Sequence, residues 1–183
     1  MDPIANSGPF WVFAYGSLLW DPGFSPVETV TAELTGYARS FCMLSIHHRG
    51  TEAAPGLVLA LDAQTGAACT GVALRVAGNA AHRVLAMLRA RELISSAYQE
   101  RMVQVGLRDG RQVSALAYVI DPAHRQYCQF DPETQAQMIA QAHGGRGPNR
   151  DYLYNTAAHL AQLGIADPAL SALVARVKVL SAP

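Results

Sequence analysis

The sequence predicts an α+β fold, a small mixed, mainly antiparallel β-barrel with helices packed outside it. Three observations lead there. The elements run as strands, one helix, a hairpin and then helices, which is not the βαβ alternation of a doubly wound parallel sheet. Asp109-Gly110 stands between two β-like runs, the strongest short-range hairpin signal, and predicts a type I′ turn. The remaining strand-like runs are short, apolar and bounded by turn residues, the pattern of strands covered on both faces.

The elements follow in chain order. Pro9 to Tyr15 is aromatic and β-branched and reads as a strand, ending at Gly16-Ser17. Asp21-Pro22-Gly23 marks a loop. Ser40 to Ile46, Leu57 to Leu61 and Gly71 to Val76 read as three further short strands. Asn79 to about Ile94 is the first helix, uninterrupted by Gly or Pro, with Asn79 as its cap. Val103 to Leu107 and Arg111 to Ile120 are the arms of the hairpin. Three helices follow, over about Pro132–Ala142, Asp151–Leu163 and Pro168–Val179.

Composition narrows the class. At roughly 100–200 residues per domain, 183 residues predict one domain spanning 1–183. Half of the residues are hydrophobic and 15% are charged, which excludes intrinsic disorder. Lys+Arg and Asp+Glu are both 14, so no basic excess exists to neutralise phosphates, and nucleic acid is not the expected partner. The neutral, half-apolar composition favours self-association; a homodimer is allowed and the oligomeric state stays open. No apolar stretch approaches the ~20 residues of a membrane helix, and no Lys or Arg precedes Arg39 to form the basic start of a signal peptide. Three widely spaced cysteines suit a reducing compartment, so the expected location is the cytoplasm. Neither CxxC nor HExxH occurs, and adjacent His47 and His48, read as strand residues, would point to opposite faces. No metal or cofactor is expected.

Glu92 is the residue that stands out. At 100° per residue, Leu85 and Ala81 lie about 20° from it and Leu88 about 40°, so it falls on the apolar stripe of its own helix. A carboxylate there must be paired, protonated or functional. Two readings remain: a buried Glu–Arg pair near the helix end, with Arg89 and Arg91 flanking the stripe, or a general base at the lip of a pocket. Tyr15-Gly16-Ser17-Leu18 ends the first strand; glycine permits close backbone approach, and serine with exposed N–H groups can hold an anion. Gly144 to Asn149 lacks the GxxxxGK[ST] pattern and follows no strand, so it reads as a loop with Asn149 capping the next helix. Cys42 and His47, five residues apart on a strand, would stand roughly 16 Å apart and make a poor thiol–imidazole pair.

Taken together, these segments resemble a known family. Trp11 to Trp20 with Pro22-Gly23-Phe24 resembles the opening motif of the ChaC-type gamma-glutamylcyclotransferases. Gly36 to Phe41, Arg49-Gly50-Thr51 with Pro55-Gly56, and Gly71-Val72-Ala73 are similar to its next segments. Arg91-Glu92 followed by Tyr98 resembles its glutamate region, and Gly144 to Asn149 with Tyr152-Leu153 its late motif. The likeness has departures: many members have Gly where this chain has Ala14, and some have Gly-Gly where it has Ser96-Ala97. The resemblance implies a gamma-glutamylcyclotransferase-like fold and a cofactor-free lyase that turns glutathione into 5-oxoproline and cysteinylglycine. It implies Glu92 as the catalytic acid/base. It implies Val12, Phe13, Ala14, Tyr15, Gly16, Ser17, Leu18, Tyr98 and Tyr152 as substrate-binding. Same-fold enzymes acting on gamma-glutamyl amino acids or gamma-glutamylamines, and a non-catalytic binding module, are the alternatives.

Overall fold

In the computed structural model, residues 8–182 are described. The chain forms two compact units: the part up to Arg39 with Leu61–His124, and Ser40–Ala60 with the part from Arg125 onward.

The first unit is built on strands. β1 (Phe10–Ala14), β2 (Glu28–Ser45, in this unit up to Arg39), β3 (Gly56–Val76, in this unit from Leu61), β4 (Tyr98–Leu107) and β5 (Gln112–Ile120) close into a barrel in the order β1-β3-β2-β4-β5, with β3 also pairing β5. β1 runs antiparallel to β3, with Phe13 opposite Ala73 and Ala14 opposite Val72. It runs parallel to β5, with Trp11 opposite Ala115. β4 and β5 are antiparallel from Tyr98↔Ile120 to Gly106↔Gln112. The sheet is therefore mixed and mainly antiparallel, as the element order predicts. Val12, Phe13, Leu61, Val76, Val105 and Leu116 on its strands are fully buried. Gly71 permits the close approach of β1 and β3, because a Cβ there would lie 2.4 Å from Ala14 O and 2.9 Å from the Phe13 ring.

Three local expectations are corrected. The runs Ser40–Ile46, Leu57–Leu61 and Gly71–Val76 are parts of two long strands, β2 and β3. The hairpin turn is not type I′. Register leaves Arg108, Asp109 and Gly110 as a three-residue loop; Gly110 N–H donates to Leu107 O, and of the loop residues only Gly110 has positive φ, +92°. This is the type I turn closed by a left-handed glycine, the usual three-residue hairpin connection. Asn79 does not cap the first helix. It lies in a short 3-10 turn, Gly78–Ala80, and α1 (Ala81–Glu92) begins after it with no side-chain cap.

The second unit holds α2 (Pro132–Gln141), α3 (Asn149–Gln162) and α4 (Pro168–Leu180). Asp131 caps α2 by accepting from Glu133 and Thr134 N–H; Asp167 caps α4 by accepting from Leu170 N–H; each is followed by a proline that cannot donate there. The three helices pack on one another. Two-residue strands β6 (His143–Gly144) and β7 (Gly147–Pro148) form a tight hairpin before α3. Asn149 is buried rather than a surface cap: its Oδ1 accepts from Leu57 N–H at 2.7 Å and its Nδ2 donates to Leu57 O at 2.8 Å. His47 and His48 lie in a bend after β2, not on a strand.

Candidate active site

The end of α1 and the turn after β1 lie together in the first unit. α1 turns Ala81, Val84, Leu85 and Leu88 into the core, and Glu92 is its last residue. Its side chain is 14% exposed, and its Oε1 is shielded from solvent. A carboxylate at a helix C-terminus faces the negative end of the helix dipole, an unfavourable placement. Arg91 is the compensating charge. Its Nε stands 3.1 Å from Glu92 Oε1, and its side chain is 13% exposed.

Arg91 also reaches the turn. β1 ends at Ala14, and a 3-10 turn follows over Ser17–Leu19. Leu19 N–H bonds to Gly16 O, and Trp20 and Asp21 N–H bond to Ser17 O. The N–H groups of Ser17 and Leu18 stand at the start of that turn, where no carbonyl of the same turn can receive them. Arg91 Nη2 donates to Ser17 Oγ at 2.9 Å, and Nη1 donates to Asp21 O at 2.6 Å.

The tyrosine before the turn is pinned at both ends. Tyr15 hydroxyl donates to Tyr118 O at 2.7 Å, while Tyr15 O accepts from Arg39 Nε at 2.8 Å. Arg39 Nη2 donates to Thr70 O, so the guanidinium ties β1 to β3. Tyr118, on β5, is buried, and its hydroxyl donates to Glu100 Oε2 at 3.4 Å. Burial first, and the nearby carboxylates of Glu100 and Glu92 next, raise the Tyr118 phenol far above its ordinary value. It therefore stays protonated and a donor. Glu100 is held by Arg89 through Nε at 2.9 Å and Nη2 at 2.5 Å.

The sequence-predicted residues fall into distinct groups. Ser17 and Glu92 are brought together through Arg91, with Tyr15, Gly16 and Leu18 beside Ser17 in the chain. Val12, Phe13 and Ala14 are almost wholly buried, with their backbones in the β1–β3 ladder. Tyr98 starts β4 opposite Ile120. Tyr152 belongs to the second unit, where its hydroxyl accepts from Leu59 N–H at 3.1 Å and the Arg49 guanidinium stands 5.9 Å from its ring centre. Arg91, Tyr118, Glu100 and Arg39 did not stand out as site residues in the sequence. Among the described residues, no group of three or more His, Cys, Asp or Glu is placed to hold a metal ion.

A family profile described as ChaC-like protein matches residues 10–180. The chain belongs to the ChaC-like family. It is 38% identical over 181 residues, 97% of this chain and 76% of the other, to the glutathione-specific gamma-glutamylcyclotransferase of Escherichia coli K12. It is 32% identical over 89% of its length, and 88% of the relative's, to the protein of that name from Schizosaccharomyces pombe. Among solved structures it is similar to the crystal structure of a gamma-glutamyl cyclotransferase specific to glutathione from yeast, with TM-score 0.86, 25% identity, and coverage of 94% of this chain and 97% of that one. The barrel-and-helix fold expected of a ChaC-like chain is the fold observed. No helix among the described residues is long and apolar enough to cross a membrane.

Proposed function

We propose that this ChaC-like protein is a gamma-glutamylcyclotransferase that cleaves glutathione to 5-oxoproline and cysteinylglycine. The observation that carries the reaction is similarity, across nearly the whole chain, to proteins named for it. Nucleophile and electrophile sit in one substrate. The α-amine of the glutamyl residue attacks its own γ-carbonyl, the five-membered lactam closes, and the γ-amide bond breaks to release the amine of cysteinylglycine. Well-oriented intramolecular reactions reach effective molarities of about 10⁵–10⁸ M. The protein's tasks are then to fold the glutamyl chain and to move protons.

Two protons leave the α-ammonium, one before attack and one as the lactam closes; Glu92 takes the first and returns it to the leaving nitrogen, which gains both and departs as an ammonium. A free Glu and a peptide α-amine differ by about 4 pKa units, or roughly 5 kcal/mol. The base must therefore be one the protein withdraws from water, and Glu92 is so withdrawn. The turn from Tyr15 to Leu18 receives the α-carboxylate or the γ-carbonyl oxygen on its open N–H groups, and Tyr98 supplies a further hydroxyl. Glutathione chemistry fits a cytoplasmic enzyme.

The test is 5-oxoproline release from glutathione by the purified protein and by Glu92→Gln. Gln is isosteric and cannot take the proton, so kcat should fall about 10²–10⁴-fold while the folded state persists. Retention of more than about a tenth of the rate would remove Glu92 from this role. N-acetyl-glutathione lacks the nucleophile and should be inert. Faster turnover of gamma-glutamyl-alanine than of glutathione would shift the assignment to the amino-acid-directed enzymes, and no release from any donor would leave a binding module.

A further inference from the structure

Arg91 has no step in the reaction described above, yet three of its atoms are committed. Adjacent residues on a helix do not face one another. Arg91 Nε nevertheless stands 3.1 Å from Glu92 Oε1. It can do so because α1 ends there: Leu93 N–H bonds to Arg89 O, and Leu93 then leaves the helical conformation. The other two nitrogens turn away from the helix. Nη2 donates to Ser17 Oγ at 2.9 Å; Nη1 donates to Asp21 O at 2.6 Å and lies 3.6 Å from Asp21 Oδ2. Helix and turn are thus spanned by one group.

That group is rigid. A guanidinium is planar, always charged, and presents its donors in a fixed fork. The bonds to Ser17 Oγ and Asp21 O fix its plane, and its charge holds the Glu92 carboxylate beside it as an ion pair. A lysine would keep the charge but offers one nitrogen on a flexible stem and could serve only one arm. Accepting from Arg91 also leaves the Ser17 hydroxyl its single hydrogen to donate elsewhere. The geometry points to Arg91 as a positioning residue, whose guanidinium plane sets the spacing between the Ser17–Asp21 turn and the Glu92 carboxylate. This rests on the reading of Glu92 as the base and of that turn as the substrate's seat. Those are the two parts an intramolecular cyclisation needs at a fixed separation, where a misplacement of about 1 Å can cost 10²-fold.

The experiment compares kcat and KM for glutathione in the wild type, Arg91→Lys, Ser17→Ala, the double variant and Glu92→Gln, with thermal unfolding of each. Arg91→Lys should lower kcat about 10–100-fold with KM changed less than about threefold. Its unfolding midpoint should stay within about 4 °C of the wild type. Ser17→Ala cuts one arm without touching the helix; it should lower kcat less, and the double variant should be no worse than Arg91→Lys, because contacts in one network are not additive. Wild-type kcat in Arg91→Lys beside an inactive Glu92→Gln would overturn the positioning role alone. An active Glu92→Gln would overturn the base reading and this inference with it. Strictly additive losses would make Arg91 an ordinary ion-pair partner and overturn it as well.

Discussion

Replacing Asn149 with leucine, a side chain of similar size without polar atoms, should destabilise the second unit severely. Asn149 and Leu57 are both wholly buried, so water cannot replace either hydrogen bond. The substitution leaves the Leu57 N–H and the Leu57 carbonyl unpaired together. Each buried group left unsatisfied costs about 1–3 kcal/mol, so the pair should cost about 2–6 kcal/mol. Whole-protein stability is about 5–15 kcal/mol, which makes this a large share. Had Asn149 been an exposed helix cap, its loss would typically cost about 1 kcal/mol. The two roles therefore differ in a measurable quantity. Urea unfolding followed by far-ultraviolet circular dichroism reads α2, α3 and α4, the helices of this unit. A loss at or below about 1 kcal/mol would refute the buried role and restore the cap. Asn149→Asp should be no milder, because it keeps the acceptor for Leu57 N–H but turns a charged oxygen toward Leu57 O.

Two further predictions can be checked with simple measurements. Gly71→Ala should lower the thermal midpoint by the equivalent of about 1–3 kcal/mol, because the added carbon would meet Ala14 O at 2.4 Å; an unchanged midpoint in calorimetry would show that β1 and β3 can separate there. Burial pushes the Cys128 thiol up to about 11. It is therefore protonated at neutral pH, and its alkylation should speed up about tenfold per pH unit between about pH 7 and 9. A rate that levels off near pH 9 would place an ordinary thiol at this position, and one flat from pH 7 an activated thiolate.

The parts of the fold that could be read from the sequence are those punctuated by local chemistry. Asp131-Pro132 and Asp167-Pro168 announce two helices because capping acid and proline act within one turn. β1 is evident from its aromatic and β-branched run. β2 and β3 were hidden because glycines with positive φ, Gly36 at +81° and Gly66 at +82°, sit inside them and look like strand ends. The 63–66 stretch of β3 is exposed, so no apolar alternation marks it. The role of Asn149 was hidden for a different reason: its partner Leu57 is 92 residues away, and no local pattern reports it.

Glu92 was legible because a carboxylate on an apolar stripe violates the helix's own pattern, and such violations mark strain or function. Its partner was legible only as one of two flanking arginines, Arg89 and Arg91, since sequence spacing does not choose between them. The conventional helical partner was available. Arg89 lies three residues before Glu92, the spacing at which side chains meet, and it also holds Glu100. Arg91, which pairs with Glu92, also holds Ser17 and Asp21. The two readings of Glu92, a buried ion pair and a working base, are therefore compatible: the pair is the means by which a buried carboxylate at the wrong end of a helix dipole is held against the turn it is proposed to serve.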